Sequence, residues 1–170
     1  MPEGLLTEPW SNSRLHSHLH SRYVDFALHQ PIVAGGVATF YLWTPSLTGF
    51  VQYRPNGDKK AHTRDTAKYY MRGNGPFGWN TLDRPGPVYL VEGLFDACRL
   101  HSMGLAALAT LSNDPGKAFA AKLPFRHYVA LCDGDSAGMK LAKYGHEYRV
   151  CPEGHDVSSM EGLWTLLRNY

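Results

Sequence analysis

The sequence predicts an α/β protein in which a parallel sheet flanked by helices follows a small mixed α+β N-terminal lobe. Two apolar runs, Val88–Val91 and Tyr128–Cys132, have the continuous hydrophobic character of strands buried on both faces. Each run is followed directly by acid, at Glu92 and at Asp133. Stretches of about ten residues with helical character separate such runs, which is typical of right-handed parallel crossovers.

Composition is consistent with a globular protein that is not strongly basic. The chain has 170 residues, of which 44% are hydrophobic, and a formal net charge of +2. That charge excludes a chain that wraps nucleic acid by electrostatics alone. We expect the lobe to cover residues 1–86 and the α/β domain to cover residues 87–170.

Cysteine usage and hydropathy indicate a cytoplasmic protein. Cys98, Cys132 and Cys151 are odd in number and widely spaced, so neither a disulfide framework nor a zinc site is expected. The N-terminus lacks the apolar core of a signal peptide, and no apolar run reaches membrane-spanning length. We therefore expect no membrane partner.

The N-terminal lobe is predicted to be a short β meander. Residues 1–22 are polar, and the histidines at 16, 18 and 20 fit either a weak metal site or a solvated segment, of which we favour the second. Residues 23–30 form a short helix in this interpretation. Residues 31–54 form the meander, with strands in 37–43 and 49–54 and a turn at Pro45-Ser46.

A basic segment follows the meander. Residues 52–72 contain six lysines and arginines against two aspartates, with tyrosines interleaved. Cations beside aromatic rings suit phosphates and stacked bases, although a solvated, turn-rich surface has the same composition. Its position just upstream of the acidic strand ends favours the binding interpretation.

The α/β domain begins after a Gly/Pro-rich linker at residues 73–87. We predict strands at 88–91, 106–110, 128–132 and 147–151, and helices at 94–103, 116–123, 136–144 and 160–169. The carboxyl ends of parallel strands meet at one edge of a sheet, where open α/β sheets bind their ligands.

That edge is predicted to carry a cluster of carboxylates, which are Glu92, Asp96, Asp133 and Asp135. Carboxylates held together repel one another unless a proton or a cation lies among them. Oxygen ligands without cysteine or histidine suit Mg²⁺ or Mn²⁺ and not zinc. Alternatively, each acid could simply cap a helix N-terminus.

Residues 92–96 (EGLFD) and 133–138 (DGDSAG) resemble the two motifs of the Toprim domain, a Rossmann-like fold shared by primases, topoisomerases and some nucleases. The pattern is most similar to the catalytic core of bacterial and phage-type (DnaG-like) DNA primases. Shorter upstream matches agree with this, at Gly49-Phe50, Lys68-Tyr69 and Phe77-Gly78.

The resemblance implies an enzyme that synthesises short RNA primers on single-stranded DNA from ribonucleoside triphosphates. It implies magnesium held by Glu92, Asp133 and Asp135, with Asp156 assisting and Asp96 in a supporting catalytic position. Nucleotide and nucleic-acid contacts would come from the basic segment, at Arg54, Lys59, Lys60, Lys68 and Tyr69. Gly154-His155-Asp156 resembles the first part of the family's third acidic motif, with histidine in place of lysine, and Ser158 occupies the position where a further acid is often found.

The resemblance also implies partners. Primases of this family use a zinc ribbon and a replicative helicase, which in a bacterial cell or a phage-infected host are either encoded separately or missing from a trimmed relative. Two alternatives remain open, a Toprim-family metal-dependent nuclease and a non-catalytic nucleic-acid-binding module of the same fold.

Overall fold

The N-terminal half contains two helices and an antiparallel sheet. The computed structural model describes residues 8–45, 49–73, 75–112 and 114–168. The elements of this half are α1 (Asn12–Ser21), α2 (Phe26–His29), β1 (Ile32–Ala34), β2 (Val37–Leu42), β3 (Gly49–Tyr53) and β4 (Tyr69–Gly73), and the strands neighbour one another in that order. The predicted meander is confirmed and is extended by β4. Ser46, in the predicted turn, lies outside the described residues.

Alternation along the strands gives this sheet one core face. Phe40 and Leu42 of β2 are fully buried, and so is Val51 of β3, which pairs with Phe40. The intervening residues are only partly buried, as expected for an antiparallel sheet with one face toward the core.

The C-terminal half is built on the predicted parallel sheet. Its elements are a 3-10 helix (Trp79–Thr81), β5 (Val88–Val91), α3 (Leu94–Ser102), β6 (Ala106–Ala109), α4 (Lys117–Lys122), β7 (Tyr128–Cys132), a second 3-10 helix (Gly138–Tyr144), β8 (Glu147–Val150) and α5 (Leu163–Arg168). The strand order is β6-β5-β7-β8, all parallel, and every residue of β5, β6 and β7 is buried. The predicted fold class is confirmed.

Residues 16–20, interpreted as a solvated segment, belong to α1, and only part of this stretch is exposed. Ser11 caps the helix by accepting a hydrogen bond from the Arg14 backbone at 3.3 Å. Leu15 and Leu19, four residues apart and therefore on one face, are completely buried in the core. This pair of leucines outweighs the polar residues around it.

Two other predicted helices are shorter than expected. Of the helix predicted at 23–30, only the four residues of α2 are helical. Tyr23 and Gln30, near the two ends of the predicted range, have positive φ angles of 64° and 47°, which a right-handed helix does not allow. The helix predicted at 160–169 begins only at Leu163, directly after Gly162 at φ 69°. Residue 169 lies outside the described part of the chain.

The segment predicted as an α-helix at 136–144 is a 3-10 helix, which winds more tightly. A Cβ on Gly138 would lie 2.7 Å from the backbone oxygen of Asp133, so this turn is pressed against the end of β7. The close approach explains the need for glycine at the end of the DGDSAG motif.

The two halves share one hydrophobic core. Leu19 and Phe40 belong to the same cluster as Val91 and Phe95, and the backbone of Phe77 pairs with that of Ala109 in β6. The division of the chain at residues 86 and 87 stays a prediction.

A chain of buried histidines reinforces the junction between the halves. The Asp25 backbone N–H donates to His29 Nδ1 at 2.9 Å, which leaves the His29 proton on Nε2 to be donated to His101 Nδ1 at 2.9 Å. His101 Nε2 then donates to the Ala107 carbonyl, also at 2.9 Å. Burial lowers the pKa of His29 to about 4 and that of His101 to about 3, so both rings are neutral.

Candidate functional site

The carboxyl edge of the parallel sheet opens into a cavity of about 410 Å³ that contains four carboxylates. Glu92 follows β5, Asp133 follows β7, Asp156 lies in the loop after β8, and Asp96 lies in the first turn of α3. The parallel register aligns the ends of these strands, which is why residues so far apart in sequence come together. We call these four side chains the cavity carboxylates.

Asp133 is the electrostatic centre of the group. Burial, followed by the charges of Asp96, Glu92 and Asp156, raises the pKa of Asp133 to about 7. Its Oδ1 atom is buried and has no hydrogen-bond partner among the described residues. A proton or a cation would therefore relieve both the repulsion and the unsatisfied oxygen.

Asp96 is the most enclosed member of the group and also supports its neighbours. One carboxylate oxygen accepts the Gly93 backbone N–H at 3.1 Å, and the other accepts the Ser158 backbone N–H at 2.7 Å. Burial and the charge of Asp156 raise the pKa of Asp96 to about 6 against these hydrogen bonds. Asp96 thus joins the first motif to the loop after β8.

Asp156 is held by the serines of that loop. Its Oδ1 accepts the Ser158 hydroxyl at 2.9 Å and the Ser159 backbone N–H at 2.8 Å. Burial would raise the pKa of Asp156, but these hydrogen bonds and the charge of Arg22 lower it overall. Ser158, in the position of the missing acid, therefore acts as a donor to both Asp96 and Asp156.

Glu92 and Asp135 differ in position. Glu92 lines the cavity, and burial followed by the charge of Asp135 raises its pKa. Asp135 is exposed and accepts the Gly138 backbone N–H at 2.5 Å; it borders a shallow surface depression beside Gly154 and not the main cavity. The sequence grouped Asp135 with the cavity carboxylates, and the structure leaves it at their rim.

The opposite wall of the cavity comes from the N-terminal half. Arg22, just after α1, lies with its guanidinium carbon 4.1 Å from the centre of the Phe95 ring, and Tyr69 of β4 stands beside it. Within the described residues this guanidinium has no salt bridge. Arg22 is not among the site residues predicted from the sequence, although its spacing of three from Leu19 and seven from Leu15 places it on the buried stripe of α1.

The basic segment divides into anchored and free side chains. Arg54 Nη1 donates to the backbone carbonyls of Arg64 at 3.0 Å and Ala67 at 3.1 Å, so it holds the loop before β4. Burial, then the charges of Lys59 and Arg22, lower the pKa of Lys68. Lys60 is exposed, and its backbone N–H bonds to Asp58.

Two of the three histidines of α1 contact aromatic side chains, and the third, His20, is exposed. His16 stacks on Phe26 with ring centres 4.6 Å apart, and His18 Nε2 lies 2.8 Å from the Tyr53 hydroxyl. Burial, then the charges of Arg22, Lys68 and Arg14, lower the pKa of His18.

Comparison with known proteins gives a clear answer for the fold. No family model matches the sequence, and no curated protein matches it. Among solved structures, a DnaG catalytic core superposes on 72% of this chain with a TM-score of 0.56 and 20% identity. The E. coli primase catalytic core superposes on 88% with a TM-score of 0.55 and 17% identity. The fold is that of a DnaG primase catalytic core.

A third primase structure, a DnaG catalytic domain bound to single-stranded DNA, has a TM-score of 0.50 and 21% identity. The chain spans about half the length of these primases, namely 47% of the first, 56% of the second and 47% of the third. The resemblance inferred from the two acidic motifs is thus confirmed at the level of the fold. No helix in the described residues is long and apolar enough to cross a membrane.

The cavity of this primase-like fold fits a hard divalent cation. No group of three or more His, Cys, Asp or Glu side chains in the described ranges is arranged to hold a metal ion, so they form no ready-made ligand cage. Mg²⁺ needs no such cage, since it keeps several waters and takes one or two carboxylates together with substrate phosphates. The unpartnered Asp133 oxygen and the raised pKa values around it are what such a site requires.

Proposed function

We propose that this chain is the catalytic core of a primase-type enzyme, which synthesises short RNA primers on single-stranded DNA by metal-dependent nucleotidyl transfer. The observation that carries the proposal is a cavity lined by the cavity carboxylates, which follow the neighbouring strands β5, β7 and β8 or begin α3, together with Arg22 and Tyr69. The primase fold, found independently by structural comparison, supports the same assignment.

In this proposal Mg²⁺ or Mn²⁺ would be held by Glu92 and Asp133 in the cavity and by Asp135 at its rim, with Asp156 assisting. When bound, the ion neutralises triphosphate charge and makes the attacking hydroxyl more acidic. Asp96 positions the site, because its two oxygens are already committed to the Gly93 and Ser158 backbone.

The reaction joins the 3′-oxygen of the growing primer to the α-phosphorus of a ribonucleoside triphosphate. The bond to the bridging oxygen breaks, and pyrophosphate leaves with the electron pair. The hydroxyl proton passes to water or to a cavity carboxylate that does not hold the ion.

Cations of the N-terminal half bind the phosphates. Arg22 makes no salt bridge with a carboxylate of the described residues, its plane is supported by Phe95, and its charge, like that of Lys59, lowers the pKa of Lys68. A planar guanidinium held in this way suits bidentate contact with a phosphate. Lys60 and Tyr69 extend this surface toward the template strand, and Arg54 supports it from behind.

The partners are single-stranded DNA, ribonucleoside triphosphates, a replicative helicase and a zinc-ribbon module, in the cytoplasm of a bacterial or phage-infected cell. One solved neighbour, the DnaG domain bound to single-stranded DNA, supports the first of these. A second, the Aquifex aeolicus primase with its zinc-binding domain, supports the last.

The test is primer synthesis with labelled ribonucleotides, Mn²⁺ and a single-stranded template. Wild type should give short RNA, and Glu92→Gln and Asp133→Asn should lose about a hundred- to ten-thousand-fold in rate. Glu147→Gln is the matched control, since this carboxylate pairs with His127 at the other end of the sheet. DNA cleavage that depends on Glu92, with no ribonucleotide incorporated, would establish a nuclease instead. Binding without either activity would leave a non-catalytic module.

A further inference from the structure

The antiparallel sheet carries a row of aromatic side chains on the face away from its core. Strand alternation points Tyr41, Phe50 and Tyr70 to this side, and Trp43 continues the row just beyond β2. Ring centres are 5.8 Å apart for Trp43 and Tyr41, and 6.4 Å apart both for Tyr41 and Phe50 and for Phe50 and Tyr70. We call this row, with Arg72 opposite Phe50, the aromatic face.

Packing within the sheet explains only part of this row. Cross-strand ring pairs stabilise a sheet, which accounts for Tyr41, Phe50 and Tyr70. Trp43 is 44% exposed and touches the row at one end only, and Arg72 is exposed as well. None of the four strands contains an aspartate or glutamate, so nothing on them repels a phosphate.

The aromatic face is continuous with the candidate site through β4. Within this strand Tyr69 and Met71 line the carboxylate cavity, whereas Tyr70 and Arg72 point to the opposite side. β4 is the edge strand, with β3 as its only neighbour in the described part of the sheet. A flexible single-stranded nucleic acid could therefore pass from the aromatic face to the carboxylate cavity around the edge of β4.

We propose that the aromatic face binds single-stranded nucleic acid, with bases stacked along the ring row and a phosphate on Arg72. The bound strand continues around β4 toward the cavity. This site adds a template-binding surface to the proposed function. The identification of the bound strand as the template rests on that proposed function. Stacking on aromatic rings is tolerant of sequence, as holding a template requires. An exposed cation on strands that contain no aspartate or glutamate favours a polyanion over a protein segment.

The first experiment compares two tryptophans of similar exposure on the full chain. Trp43 belongs to the aromatic face, whereas Trp164, 50% exposed on α5, does not. Fluorescence anisotropy with a labelled oligo(dT) strand should show binding weakened about 5- to 150-fold in Trp43→Leu, as expected for loss of one stacked base. Trp164→Leu should bind as wild type does. Arg72→Gln should lower the slope of log affinity against log salt by about one unit.

The second experiment begins with wild type and so is independent of any folding defect. Wild type should bind oligo(dT) more tightly than an abasic strand of equal length, and Trp43→Leu should reduce this preference. Equal binding of both strands by wild type, or equal losses in Trp43→Leu and Trp164→Leu, would overturn the proposal and would leave the face to a protein partner. Primer synthesis reports separately on the proposed function, because stacking without synthesis would refute the primase assignment alone, and synthesis without stacking would refute this site alone.

Discussion

Replacing Asp133 by asparagine should stabilise the metal-free protein while abolishing its activity. The pKa of this group rises from 3.8 to about 7 on folding, which means that the folded state disfavours its charge. A shift of about three pH units corresponds to about 4 kcal/mol at full strength, and screening of this half-exposed side chain by solvent reduces it to about 2 kcal/mol. The asparagine side chain of the Asp133→Asn variant would keep the shape of the carboxylate without its charge.

The sign of the effect follows from proton binding. Between pH 3.8 and about 7 the folded protein binds more protons at Asp133 than the unfolded chain does, so wild-type stability falls as pH rises through this window. The advantage of Asp133→Asn should therefore be small at pH 4 and complete above pH 7. For a chain of this size, the gain in melting temperature of Asp133→Asn over wild type should reach about 4–8 °C.

Thermal melts in EDTA at pH 4, 6 and 8 provide the assay. Asp114→Asn is the control, since Asp114 is bound to Lys143 at 2.8 Å, which lowers its pKa, and the substitution should bring no gain at any pH. Added Mg²⁺ should raise the melting temperature of wild type more than that of Asp133→Asn. A variant that is less stable than wild type at pH 8 in EDTA, or a difference independent of pH, would refute the reasoning.

Two further predictions concern the histidine chain and the basic segment. Below pH 6.5 the unfolded chain protonates His29 and His101 before the folded one does, so stability should fall by about 1.4 kcal/mol per pH unit for each histidine until their lowered pKa values are approached. Urea melts of wild type from pH 7 to pH 5 should show this fall in stability. The control variant His20→Gln, which replaces an exposed histidine, should show the same slope. A stability that does not change with pH in wild type would contradict the prediction. The triple alanine variant of Lys59, Lys60 and Lys68 should bind single-stranded DNA with a log–log salt slope reduced by about one unit per lost phosphate contact. An unchanged slope would remove these lysines from the interface.

The parallel sheet could be predicted from sequence because its signals are local. β5 and β7 are uninterrupted apolar runs, and the structure gives them the predicted bounds of 88–91 and 128–132. Acid directly after each strand, at Glu92 and Asp133, was enough to locate the cavity, since parallel strands bring their carboxyl ends to one edge.

The features that the sequence did not reveal depend on contacts between distant residues. The role of α1 rests on Leu15 and Leu19 meeting a core formed by both halves, and polar neighbours conceal that pattern. Arg22 becomes a site residue only because Phe95 lies beneath it. Asp135 was grouped with Asp133 by spacing, but the tight turn into the 3-10 helix directs it to the rim.

The most direct test of the central claim is a crystal structure with Mn²⁺ and a non-hydrolysable ribonucleoside triphosphate. We expect anomalous density between Glu92, Asp133 and Asp135, with the triphosphate extending from there toward Arg22. Several coordinating waters should remain, because such ions take few protein ligands. Manganese found only at the histidines of α1, or a triphosphate bound away from the cavity carboxylates, would contradict the account.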